Sequence, residues 1–209
     1  QPVTGLSADI TAATLGLSGL SAADKVYDAT RSAALAGTAT VAPLAGDVVS
    51  LSGSASGLFA DKNVGTAKPV AISGLTLSGA DAGNYTLQLP TLAASITPAT
   101  AQLVDLAAQN KVYDGNTQAR LSAGLGGLFG GDLVTLDLSG QFASAGAAAA
   151  RDVRWTALLR GPDALNYRLP AVSGTVQAAI QQAVLSYVAN PVTGTSGQPL
   201  PALGGSVIG

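Results

Sequence analysis

The sequence predicts an all-β protein made of tandem β-sandwich modules. Three observations carry this. One signature occurs twice along the chain. Short alternating apolar runs are broken by Gly, Pro, Asn, Asp and Ser about every 8 to 12 residues, the spacing of sandwich or barrel strands. No segment shows sustained helical periodicity with a cap.

The repetition comes first. Lys25-Val26-Tyr27-Asp28-Ala29-Thr30 returns as Lys111-Val112-Tyr113-Asp114-Gly115-Asn116, an offset of 86. Gly79-Ala80-Asp81-Ala82-Gly83-Asn84-Tyr85 returns as Gly161-Pro162-Asp163-Ala164-Leu165-Asn166-Tyr167, an offset of 82. Gly46-Asp47-Val48-Val49-Ser50-Leu51 matches Gly131-Asp132-Leu133-Val134-Thr135-Leu136, and Phe59, Lys68 and Ile72 fall opposite Phe142, Arg151 and Trp155. Ser95-Ile96-Thr97-Pro98-Ala99 aligns with Gly174-Thr175-Val176-Gln177-Ala178. The drifting offset places small deletions in surface turns, where they cost little.

The boundaries that follow are residues 13–98 for the first repeat and 99–179 for the second, with short linkers near 98–101 and 178–183. Residues 1–12 read as the last strand of a preceding repeat, because Leu6 to Leu15 resembles Leu92 to Ala101. Residues 180–209 read as the opening of a following module. Cut strands leave an unpaired edge. The tails are therefore expected to be mobile or to pair outside their native modules, with Val3, Leu6, Ile10, Leu203, Val207 and Ile208 supplying the apolar side.

Each strand has its own signal. Asp47–Ser52 alternates. Pro69–Ser73 and Leu75–Ser78 are two runs joined by Gly74. Tyr85–Leu89 alternates and ends at Pro90, as Tyr167–Leu169 ends at Pro170. The alternation directs Val48, Leu51, Ile72, Leu87 and Ile96 inward and leaves Ser50, Thr86 and Gln88 more exposed. Each core is expected to hold one Phe, two Tyr and branched aliphatics. A helical turn is expected near Asp81–Gly83, where Asp favours such a start.

Composition narrows the function. Charged residues make up 11% of the chain, against about 25% in an average soluble protein. All twelve acidic residues are Asp. Ten scattered Lys and Arg form no basic stripe, which argues against nucleic-acid binding. The net charge of -2 supplies no steering field. No apolar run is long enough for a membrane-spanning helix. With no Cys, His or Met, the chain has no thiol nucleophile, imidazole base or disulfide, and no zinc site of the usual Cys/His kind.

The polar residues of the signature then need a role. Tyr27 and Tyr113 are expected as buried rings whose hydroxyls bond the backbone at a strand corner, rather than as ligand-stacking rings. Asp28 and Asp114 fit Asx-turns better than calcium sites, since calcium takes six or more oxygens and no acidic loop is present. The pairs Asp81 with Asn84 and Asp163 with Asn166 read the same way. Asp47 and Asp132 lack the carboxylate partner that glycoside hydrolysis requires. Lys25 and Lys111 would need a buried Asn and an acid to form an intramolecular isopeptide bond. Asn84-Tyr85-Thr86 matches a glycosylation sequon of little weight. Trp155 replaces an aliphatic and belongs in the core. No catalytic, cofactor or metal residue is therefore expected, and no cofactor.

Lys-Val-Tyr-Asp-Gly, followed by Gly-Ala-Asp-Ala-Gly-Asn-Tyr-Thr-Leu and Ile-Thr-Pro-Ala, resembles the YDG repeat of large, filamentous-haemagglutinin-like bacterial adhesins. The likeness spans residues 13–179. It departs at Ala29, where the family prefers Gly, and in the second copy at Leu165 and Gln177. Residues 186–209 resemble the start of an MBG repeat. The strand and turn spacing fits immunoglobulin-like sandwich modules in an elongated array, with a β-grasp-like module as the alternative. The resemblance implies a non-enzymatic stalk of a secreted protein, exported by two-partner secretion to the cell surface and serving adhesion or biofilm formation. Its partners would be neighbouring repeats, with a host or matrix glycan or protein ligand left open. A glycan-binding module is the alternative function.

Overall fold

The computed structural model describes Gly5, residues 8–199 and residues 201–208. The first nine strands are β1 (Ala13–Gly16), β2 (Ser18–Ala22), β3 (Lys25–Val26), β4 (Ser32–Ala33), β5 (Leu35–Thr40), β6 (Ser50–Phe59), β7 (Gly65–Ser78), β8 (Tyr85–Gln88) and β9 (Leu92–Thr97). The next nine are β10 (Ala99–Thr100), β11 (Gln102–Ala108), β12 (Lys111–Val112), β13 (Gln118–Ala119), β14 (Leu121–Gly126), β15 (Thr135–Phe142), β16 (Ala148–Arg160), β17 (Tyr167–Arg168) and β18 (Ser173–Gln181). Strand β(n+9) repeats strand βn throughout. A hairpin, β19 (Ser186–Ala189) with β20 (Gly205–Ile208), follows. No α-helix is present among the described residues. The all-β class holds.

Both repeats use one topology. The five-stranded sheet runs β3-β9-β7-β6-β4 in the first and β12-β18-β16-β15-β13 in the second. Its β3–β9 and β12–β18 contacts are parallel, while β7–β9 and β16–β18 are antiparallel. Antiparallel pairs β2–β5 and β11–β14 and parallel pairs β1–β8 and β10–β17 complete the set. The two runs joined by Gly74 form one strand, β7. Gly74 sits at a bulge against β6 with φ 85°, and a Cβ there would stand 2.3 Å from the Ser54 carbonyl oxygen. A side chain at that point would drive the strands apart.

The compact units do not coincide with the sequence repeats. Unit 1 comprises the chain up to Ala101 together with Gly127–Thr135 and Leu159–Arg168. Unit 2 comprises Gln102–Gly126, Leu136–Leu158 and the chain from Leu169 on. In unit 2 the core is Ala119, Phe142, Val153, Ala178 and Ile180. The matching residues Ala33, Phe59, Val70, Ala94 and Ile96 are buried in unit 1. Trp155 is buried too, as its aliphatic counterpart Ile72 requires.

Several expectations need correction. Val48 is 63% exposed, and so is its counterpart Leu133, at 66%. The alternation of Asp47–Ser52 starts in a turn, where Asp47 N–H donates to Leu44 O, and pairing begins only at Ser50. Leu51 and Leu87 are half-buried, whereas Ile72 and Ile96 are fully buried and Ser50, Thr86 and Gln88 are exposed. The counterpart of Ile96 is Ile180, not Thr175, because Lys25 pairs with Ile96 and Lys111 with Ile180. Short Ala- and Gly-rich strands slide past one another in an alignment with little loss of similarity, and only the ladder identifies the partner.

The expected linkers are strands instead. Ala99 and Ala101 are buried, and residues 178–181 lie in β18. Of the tail residues, Val3 and Leu6 lie outside the described residues. Residues 8–12 carry no strand, and Ile10 is fully exposed. Leu203 is exposed in the β19–β20 connection, while Val207 and Ile208 pair with Tyr187 and Ser186 in the tail's own hairpin.

Candidate functional site

The Lys and Asp of the Lys-Val-Tyr-Asp signature build the same turn in both copies. Lys25 Nζ donates to Asp28 Oδ1 (2.7 Å), Thr30 O (2.9 Å) and Thr30 Oγ1 (3.1 Å), and lies 5.6 Å from the Phe59 ring centre. Lys111 does the same with Asp114 Oδ1 (2.7 Å), Asn116 O (2.7 Å) and the Phe142 ring (5.5 Å), and also reaches Asn116 Oδ1 (3.0 Å). Each Asp accepts the backbone N–H two residues on, which is an Asx-turn.

Burial raises the Asp28 carboxyl. The Lys25 ammonium and the Thr30 amide and hydroxyl outweigh it and hold the group below the usual range. The Lys111 ammonium and the Asn116 amide hold Asp114 low in the same way. An ionised, half-exposed Asp114 is a poor acid for isopeptide formation at Asn116. The residue after each Asp is left-handed: Ala29 at φ 62° and Gly115 at φ 78°. This turn explains the preference for Gly that Ala29 breaks.

Val26 and Val112 are exposed, but the two tyrosines part company. Tyr27 is 1% exposed and Tyr113 is 46% exposed. Within unit 1, Tyr27 meets residues of the second repeat. Its hydroxyl donates to Asp132 Oδ2 (2.7 Å), and the Tyr167 hydroxyl donates to the same oxygen (2.6 Å). Lys62 Nζ bonds Asp132 Oδ1 and lies 3.5 Å from Asp163 Oδ1. The Asp132 side chain is 1% exposed. Phe129 N–H donates to Tyr167 Oη (2.9 Å). Tyr27 packs edge-on against Phe129 and Tyr167, with ring centres 5.8 and 5.5 Å apart. Beside it, buried Asn166 accepts from Val64 N–H (2.9 Å) and donates to Asn63 Oδ1 (3.1 Å).

The cluster is electrostatically self-consistent. Burial raises the Asp132 carboxyl, but bonds from Lys62, Tyr167 and Tyr27 outweigh it and keep it below the usual range. Burial, then the bond to Asp132, pushes Tyr167 up to about 12. Tyr27 is raised chiefly by burial. The bond to Asp132, with Tyr27 beside it, raises Lys62. Three donors converge on one buried carboxylate, and the rings of Tyr27, Phe129 and Tyr167 pack beside it.

Sequence reasoning placed the Tyr27 hydroxyl on backbone and Asp132 among idle acids. The structure places them on each other, 105 positions apart. Half of the same cluster recurs near the chain start, where the Tyr85 hydroxyl donates to Asp47 Oδ2 and accepts from Leu44 N–H (3.1 Å). Asp81 and Asp163 each accept a backbone N–H across the neighbouring turn, from Val48 (2.8 Å) and Leu133 (2.9 Å). Neither caps its own 3-10 turn, Ala82–Asn84 or Ala164–Asn166. Among the described residues no three acidic side chains gather as a metal site would require.

The family comparison also finds the duplication, over nearly the same two segments. The YDG domain model matches residues 11–94 and again 97–191. The chain belongs to the YDG domain family. No curated protein and no solved structure matches it. The YDG signature now has a physical reading. The Lys closes the turn over a core Phe, the Asp caps it, the Gly takes the left-handed position, and the Tyr of the first repeat locks onto the Asp of the second.

Proposed function

We propose that this chain is a non-enzymatic spacer segment of the stalk of a large, secreted bacterial surface adhesin, projecting adhesive regions in cell adhesion or biofilm formation. In this reading the protein leaves the cell by two-partner secretion, and the residues that follow the second YDG match open an MBG-type repeat. The observation that carries it is the Tyr27–Asp132 lock. The most developed polar cluster of unit 1 joins residues of successive repeats, which is what an array under tension needs and a catalyst does not. Family membership and element-by-element duplication support it.

Small-angle scattering on the chain and on genetically joined multiples of it tests the reading. A spacer lengthens in proportion to copy number, whereas a compact particle grows only as the cube root. The second result would remove the stalk.

The exposed rings of Tyr113 and Tyr187 favour a second reading, a glycan- or matrix-polysaccharide-binding module, because sugar sites need an open ring face. Chemical-shift perturbation of those two tyrosines by an oligosaccharide panel separates the two.

A further inference from the structure

Unit 2 and unit 1 each carry one half of a joint like that of Tyr27 and Asp132. Tyr113 repeats Tyr27 in backbone placement: its N–H donates to Gln181 O at 2.8 Å, as Tyr27 N–H donates to Thr97 O at 2.8 Å. Yet among the described residues nothing covers its ring as Asp132, Phe129 and Tyr167 cover Tyr27. Beside it lies a shallow, open cavity of about 550 Å³ that includes Ala147, Ala183 and Leu185 in its wall. The exit strand behaves likewise. Ala99 and Ala101 are buried, and Ala99–Thr100 pairs with Tyr167–Arg168, whereas the matching Ala183 and Leu185 are exposed, Leu185 at 69%. Within unit 1, Asp47, Tyr85 and Leu44 reproduce Asp132, Tyr167 and Phe129, hydrogen bonds included.

We infer that the Tyr113 face is a docking surface for the Asp47–Tyr85 face of a second copy of this chain, giving head-to-tail association. Tyr113 takes the place of Tyr27 and donates to Asp47, and the Ala183–Leu185 segment takes the place of β10. Such a contact joins unlike faces, so each chain can engage two others, in an open chain or a closed ring. Two partners of the Tyr27 joint are missing at the Tyr113 end. The positions of Lys62 and Asn63 hold Ala145 and Gly146. The natural association is accordingly weaker than the joint in unit 1. The Gly146 position has room for a side chain, since a Cβ there meets its nearest atom at 3.7 Å. This inference goes beyond the spacer reading and does not depend on where the chain works.

Sedimentation velocity over a concentration series tests it on the full chain. The expected result is reversible association that Tyr113→Ser abolishes and that Ala145→Lys with Gly146→Asn tightens at least about tenfold, the worth of one charge-assisted hydrogen bond. Asp47→Ala removes the other face. Mixing Tyr113→Ser chains with Asp47→Ala chains leaves one good face on each, so dimers should form and nothing larger. Circular dichroism checks that each variant is folded. A chain that stays monomeric with the added Lys and Asn overturns the inference. So does association that survives Tyr113→Ser, a mixture that forms no dimers, or a monomer that binds oligosaccharide through Tyr113.

Discussion

Replacing Asp132 by Ala probes the joint at its centre. The change strips two tyrosine hydroxyls of their acceptor and leaves the Lys62 ammonium without its closest partner. A hydrogen bond to a charged group contributes about 1.5–3 kcal/mol, and breaking a buried ion pair from one side costs about 3–5 kcal/mol. The effects overlap, since all three donors share one carboxylate. Lys62 is one-third exposed and recovers water, and Tyr167 keeps its bond from Phe129 N–H. We therefore expect a loss of about 3–4 kcal/mol. The control is Asp47→Ala, at a position with the same Gly-Asp-aliphatic-Val context. Asp47 takes the Tyr85 hydroxyl and has no Lys62-like cation in the contacts described above. Urea unfolding followed by far-UV circular dichroism measures both variants. A loss for Asp132→Ala no larger than for Asp47→Ala would refute the claim that the joint, rather than the local turn, is what Asp132 stabilises.

Four further outcomes follow from the geometry. Ala29→Gly should stabilise and Gly115→Ala destabilise, each by about 1 kcal/mol, because both positions have φ near +60 to +80°; paired thermal melts check the opposite signs. Ser144→Asp should stabilise by about 1 kcal/mol, because Asp61 pairs with Lys68 in the first repeat while Arg151 Nε is buried without a partner in the second; the urea midpoint reads it. The Asp132 carboxyl is lowered, so its contribution holds above an unfolded value near 4 and fades as pH falls through the folded one. Tyr27 and Tyr167 are raised, so their contribution holds below the ordinary value of about 10 and fades as pH rises toward 12; urea midpoints against pH should show a plateau between those limits, with an acid limb that Asp132→Asn flattens. Calcium or a chelator should leave the melting temperature unchanged, since Asp28 and Asp114 are each satisfied by a Lys and an Asx-turn; a shift of several degrees would show a site of higher affinity than these turns allow.

What the sequence determined was local and repeated. Alternation and turn residues specify strands through neighbours two to four positions away, so the all-β class, the duplication, the buried Phe59, Phe142 and Trp155, and the Asx-turns at Asp28 and Asp114 were all legible. Where the pattern lacked contrast, it misled. Val48 sits in a turn that alternates by chance, and the Ala-rich stretch at residues 98–101 carries no periodic signal, yet it pairs as β10. Long-range packing selects which tyrosine of a repeated pair is buried and which aspartate of a repeated pair is an anchor. Tyr27 and Tyr113 share their local sequence, as do Asp47 and Asp132. The difference lies in what arrives from 105 positions away. Burial is a property of that encounter, and no local pattern encodes it.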